Sequence, residues 1–476
     1  MDLRQKNKHL FSRACFGISL EDYHDPKPIN IAVVDLFPKG IPGKLEMITD
    51  EEWAINSPAA MKAMEDIEER KARKKAFNAR TKDMSLLWAQ AMVTTSFPFL
   101  EKMALFWHGH FAVRINNPYF DQKLLHVIRG NALGNFGDML RTVSKSSAML
   151  EFLNNRQNKK MHPNENFARE VMELFTLGRG HYTEEDVKEA ARAFTGWAYD
   201  GNGAFVFKGR QHDSGEKKFL GRNGNFDGDD IINIILEQKQ TAIFITQKIY
   251  RFFVSDEKID EQRVKLLANQ FYESKYDIGT LMRSILTSEW YYDDALIGAK
   301  VKSPVELLVG YQRMIPMQFA NDKTILNVQR LLGQYLFYPP NVAGWPGGRS
   351  WIDSSTLVAR MRLPEAFFRS KELDLNLKES DAEMADGHRA PVSKDTQPTK
   401  QFKVGRVDAD WCAYLAYWKV YKMEDLPEAI AAYLLPGTIS KQRLADVTAF
   451  ADEDRIEEYI KSLTILLMEL PEYQLT

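Results

Sequence analysis

Only two cysteines, Cys15 and Cys412, occur in 476 residues. A distant pair makes no disulfide framework, so the fold must rest on its core, with both thiols expected to be buried. No run approaches the roughly 18–20 consecutive apolar residues that a spanning helix needs, so no transmembrane segment is expected. Net charge is only −2, which leaves no global field to recruit nucleic acid. No Walker loop or dinucleotide fingerprint occurs, so no nucleotide cofactor is indicated. The G-x-S-x-G elbow is missing too, which excludes one fold of serine hydrolase. The opening residues carry charge but no apolar leader-like run. The chain is expected to be cytoplasmic if full length, and extracytoplasmic if a leader has been removed.

What the chain does hold is apolar and aromatic surface: 44% hydrophobic and 12% aromatic residues, enough for a sizeable core. Apolar positions recur mostly at helical spacing, which predicts a mainly α protein. Residues 1–374 read as one large multi-helix domain with a short β-hairpin or irregular insertion. Residues 375–400 read as a polar loop or linker, and 401–476 as a helical C-terminal extension packed on the main domain. Prolines at 26, 28, 38, 42 and 58 suggest an extended stretch, with IAVVDLF a short strand. Phe205, Phe207 and Phe219 suggest the hairpin, and Asp229 is expected to cap the helix after it.

The most regular stretch is Asn164–Trp197, two helices joined by a turn. Phe167, Val171, Leu174 and Phe175 form one apolar stripe, with Asn164 as its cap and Gly178 and Gly180 as its stop. Thr183 and Asp186 open the second helix as a capping box. Asn166, Arg169, Glu170 and Glu173 share the opposite face of the first helix. One reading is a solvated face with an Arg169–Glu173 pair. The other is an inward row of carboxylates that lines a site, with one of the catalytic candidates Glu170 and Glu173 as base and Arg169 holding an anionic substrate group.

Three more segments carry candidates. His108 and His110 flank Gly109, and across a glycine break the two imidazoles could converge on a metal. His212–Asp213, in a glycine-rich loop, offers a further imidazole and carboxylate. The plainer alternatives are histidines bonded to carbonyls and a turn-stabilising pair. In PPNVAGWPGGRSW, Trp345 and Trp351 flank Arg349 on a loop whose prolines forbid regular structure. Those three could stack on and grip a sugar or planar ligand, or the tryptophans could plug the core. Lys71–Lys75 reads as a solvated helix face rather than a nucleic-acid patch.

Several of these segments together resemble one bacterial family, catalogued as domain of unknown function eighteen hundred. They are HLFSRACFG at 9–17, LFWHGHF at 105–111, the hairpin at 164–197, HDSGEKKFLG at 212–221, YRFFV at 250–254 and PPNVAGWPGG at 339–348. They span most of residues 8–362. The family usually shows glycine where Cys15 stands. The resemblance carries no reaction and no catalytic residues. It does imply a sulfatase-like or phosphatase-like companion protein and a possible extracytoplasmic role.

Two functions compete. One is a metal-dependent hydrolase acting on an anionic or glycan-type substrate, with a divalent metal held by His108, His110, His212 and Asp213 beside Glu170 and Glu173. The other is a non-catalytic glycan-binding or assembly protein. Its polar cluster would be a structural network, and it would work with the sulfatase-like companion.

Overall fold

Apolar runs that begin at a proline recur along the chain. In the computed structural model, Pro98, Pro118 and Pro304 open the helices Pro98–His110, Pro118–Asn131 and Pro304–Met314. At that position the missing N–H has no intrahelical partner to lose. The structure describes residues 1–38, 40, 43–369, 374–376, 401–403 and 405–476. Their architecture is mainly α. Strands occur only as short antiparallel pairs, such as Trp197–Tyr199 with Phe205–Phe207 and Lys217–Phe219 with Arg222–Gly224. The glycine-rich insertion therefore folds as two hairpins where one was expected.

Helix Pro98–His110 is the axis of the larger core. Phe99, Met103, Ala104 and Trp107 on it are fully buried. So are its charged residues Glu101 and Lys102, which must be paired to be tolerated. Glu101 accepts from Trp88 Nε1 at 2.9 Å and from Arg129 Nε at 3.0 Å. Lys102 donates to the Cys15 carbonyl at 2.6 Å and pairs with Glu306 at 2.5 Å. These bonds fix the helix in rotation as well as in depth.

A second apolar cluster joins the C-terminal helices to the rest. Trp418, Ile430 and Ile460 pack with Tyr23, Tyr311 and Phe367. Tyr433 donates to the Ile18 carbonyl at 3.0 Å, and Val407–Ala409 pairs with Met317–Phe319. Most of the polar stretch 375–400 lies outside the described residues.

Several local expectations are corrected. All of IAVVDLF but its last residue, the C-cap Phe37, lies in a helix, Ile29–Leu36, which starts directly after Pro28. Asp227, not Asp229, caps Gly228–Leu236, because its side chain reaches the N–H groups of both Asp229 and Asp230. The helix continues through Gly109 to His110, so no glycine break swings the two imidazoles together. Helix Asn166–Glu173 has Glu165 at its N-cap with no side-chain bond, while Asn164 accepts from the Asn166 N–H at 3.0 Å. Thr183 and Asp186 do form the capping box. Cys15 is buried, but Cys412 is exposed.

Candidate functional site

The C-terminal end of helix Pro98–His110 faces a cleft of about 670 Å³. Helix Lys239–Phe253 supplies one wall. Lys248, Arg251 and Phe252 fall at i, i+3 and i+4 there, so they share a face. The loop after it adds Asp256 and Glu257, Lys300 and Ser303 enter from a later segment, and the proline-rich loop brings Trp345, Arg349 and Trp351.

Close backbone approach seats that loop. Gly344 has φ +81°, and a Cβ there would overlap the Gly109 carbonyl oxygen. Only glycine allows both the left-handed conformation and the contact. The next residue, Trp345, stacks on His108 with ring centroids 5.7 Å apart and planes 20° apart. Trp351 is buried, Trp345 half-buried, and Arg349 exposed.

Charge in the cleft is unbalanced. Lys248, Arg251, Lys300 and Arg349 stand against Asp256 and Glu257. Arg349 Nε bonds Glu257 at 2.6 Å on the rim. Lys300 lies 3.4 Å from Glu306 and 4.9 Å from the centre of the Phe252 ring. Asp256 accepts from the Val301 N–H at 3.1 Å, and burial pushes its carboxyl up, with Lys300 pulling the other way. Among the described residues, no carboxylate reaches ion-pair distance of Lys248 or Arg251. Burial, and secondly the Arg251 charge, lower the Lys248 ammonium to about 8.

His110 also lines this cleft. Its Nε2 lies 3.1 Å from the Phe175 carbonyl. A carbonyl only accepts, so that nitrogen carries the proton and Nδ1 keeps its lone pair. Nδ1 is buried without a hydrogen-bond partner among the described residues. Burial, and then the nearby Lys248 charge, hold the ring's pKa well below the ordinary value.

The other sequence candidates lie elsewhere. His108 sits behind Trp345 among Trp88 and Phe337, and burial lowers its pKa to about 3. The His212 Nδ1 donates to the Thr195 carbonyl at 3.0 Å, and Asp213 is held by Arg192 at 2.7 Å. Arg169 pairs with Glu184 at 2.8 Å and Glu165 at 3.1 Å, not with Glu173. Glu173 instead accepts from Arg179 and Tyr182. Glu170 is half-buried, and burial followed by Glu173 pushes its carboxyl up. None of Arg169, Glu170, Glu173, His212 or Asp213 lines the cleft. Among the described residues, no group of three or more His, Cys, Asp or Glu side chains is placed to hold a metal ion.

A larger groove of about 1060 Å³ lies beside Trp53, with Lys62, Arg70 and Lys74 on one side. Neighbouring charges there have partners of their own: Lys71 pairs with Glu68 at 2.8 Å, and Arg73 bonds Asn56 at 3.0 Å.

Two buried neutral histidines give the fold an acid sensitivity. Between the unfolded pKa near 6.5 and the folded value near 3, the unfolded chain binds the extra proton at His108, so stability falls as pH falls. From pH 7 to pH 5 that site alone should remove about 2 kcal/mol. His110 acts in the same direction. Urea titrations at the two pH values should show the loss, and His108→Phe should reduce it by the His108 share.

Taken together, fold and cleft define a mainly helical protein with an aromatic, cation-rich pocket. No described helix is long and apolar enough to cross a membrane. The family described as Protein of unknown function (DUF1800) matches residues 9–475, and the chain belongs to it. The match runs well past the 8–362 region that carried the motif resemblance. No curated protein and no solved structure matches the chain.

Lys248, Arg251, Asp256 and Lys300 were not singled out from the sequence. One signal was available: two cations at i, i+3 inside the largely apolar run IFITQKIYRFFV. Lys248 is half-buried there, and a charge so placed needs a reason.

Proposed function

We propose that the protein binds a small anionic ligand with a sugar-like or planar face in this cleft. A sulfated or phosphorylated glycan fragment is the class that fits. The observation that carries the reading is the pair Lys248 and Arg251, cations on an aromatic wall with no carboxylate partner among the described residues. An anionic group placed there would gain charge-assisted hydrogen bonds in a partly desolvated site. Trp345 and Trp351 offer ring faces for the ligand's apolar side. Arg349 would exchange Glu257 for the ligand at the rim. Hydrolysis would fall to a sulfatase-like companion, the partner class that the family resemblance implies.

Calorimetric titration at low salt tests this. Galactose 6-sulfate, glucose 6-phosphate and glucuronate should bind, more weakly as salt rises, and glucose should not. Equal binding of glucose, or no binding by any of the three anions, would refute the reading.

A further inference from the structure

Lys248 is set up for more than charge pairing. Its Nζ lies 5.0 Å from the centre of the Phe244 ring, and its side chain is half-buried on the cleft wall. Arg251, one turn on, is a second cation on the same face. The charged and titratable groups around the cleft are Arg251 on its own helix, His110 on the facing helix, and Asp256, Glu257, Lys300 and Arg349 on the loops. Neither carboxylate among them is placed to stabilise the Lys248 ammonium by direct pairing: Glu257 bonds Arg349, and Asp256 bonds the Val301 N–H. An amine on an apolar wall beside another cation, with no counter-charge among the described residues, is in the environment that makes a lysine nucleophilic.

We propose that Lys248 forms a reversible imine with an anionic aldehyde or ketone bound in the cleft, the open-chain end of an acidic sugar being one such ligand. This rests on the anion-binding reading above and names the reactive group such a ligand would carry. The neutral amine adds its lone pair to the carbonyl carbon, and the carbonyl π pair moves to oxygen. Water carries one proton from nitrogen to that oxygen, giving a carbinolamine. Water then carries the second amine proton from nitrogen to the hydroxyl, which leaves as water while the nitrogen lone pair forms the C=N bond. One amine and one carbonyl become one imine and one water, with no change of oxidation state.

The supply of neutral amine agrees with this. With its ammonium lowered to about 8, roughly one Lys248 in ten is neutral at pH 7, against about one in a few thousand for an ordinary lysine. Arg251, Lys300 and Arg349 would hold the ligand's anionic group, so the carbonyl arrives with an orientation rather than at random.

The test is reductive trapping. The full chain is incubated with 4-carboxybenzaldehyde and cyanoborohydride at pH 7, and adducts are mapped by peptide mass spectrometry. A saturable adduct at Lys248 is expected, faster than at exposed surface lysines by on the order of tenfold or more. The rate should rise with pH around 8. Benzaldehyde, which lacks the carboxylate, should label Lys248 no better than other lysines. Labelling spread evenly over surface lysines, or an unmodified Lys248, would overturn the proposal.

Terephthalate, an anion of similar shape with no aldehyde, separates this inference from the reading it rests on. If terephthalate quenches the cleft tryptophans but the aldehyde leaves Lys248 unmodified, the imine fails and anion binding stands. If neither happens, both fail. Lys248→Arg keeps the charge and should abolish the adduct at that position while its thermal melting stays near wild type.

Discussion

Glu306→Gln is expected to cost the fold about 3–5 kcal/mol, the range for stranding a buried charge. Glu306 is the carboxylate on which two buried ammonium groups converge: Lys102 at 2.5 Å and Lys300 at 3.4 Å. Burial opposes the charge on Glu306, but Lys102 and Lys300 outweigh it and hold the acid below the ordinary carboxylate range. Lys102 is lowered by burial, with Glu306 pulling it back, and Lys302 nearby is lowered by burial to about 7. The region thus holds more buried cation than anion. Removing its charge leaves Lys102 with the Cys15 carbonyl as an acceptor but without its counter-charge. Adding Lys102→Met to Glu306→Gln should recover part of the loss, because the stranded ammonium is gone. Urea unfolding of the single and double variants reads this directly. A single-variant loss below about 1 kcal/mol would place the pair among weak surface ion pairs and contradict the account.

The second large effect is on binding. Lys248→Met with Arg251→Gln should weaken binding of galactose 6-sulfate at least about a hundredfold, since each hydrogen bond to a charged group is worth about 1.5–3 kcal/mol. Lys248 should contribute more than Arg251, which is the more exposed of the two. The same double variant should be no less stable than the parent. An ammonium with no counter-charge on a half-buried wall disfavours folding, and methionine of similar length removes that cost. Loss of binding without loss of stability distinguishes a ligand site from a structural network. Titration and thermal melting on one preparation measure both. Unchanged affinity, or a clear drop in melting temperature, would contradict the assignment.

Part of this was legible in the sequence, for local reasons. The mainly helical fold follows from apolar spacing, and Thr183 with Asp186 needed only four residues to specify a cap. PPNVAGWPGGRSW could be read as an aromatic loop because prolines and glycines constrain the backbone wherever they occur. That it lies against Gly109, so that Trp345 and His110 share a cleft, is a tertiary fact. Arg169 shows the same limit. Its neighbours in the first helix suggested Glu173, but the second helix brings Glu184 to its guanidinium at 2.8 Å. Lys248 and Arg251 were hidden for another reason. In an apolar run two cations read as positions turned to solvent, and only packing shows that they turn to a cleft built from segments far apart in the chain.

The most direct test is a crystal structure of the chain grown with galactose 6-sulfate. The sulfate is expected against Lys248 and Arg251, with the sugar ring over Trp345. Sulfate density in the basic groove beside Trp53, with the cleft empty at saturating ligand, would contradict that placement.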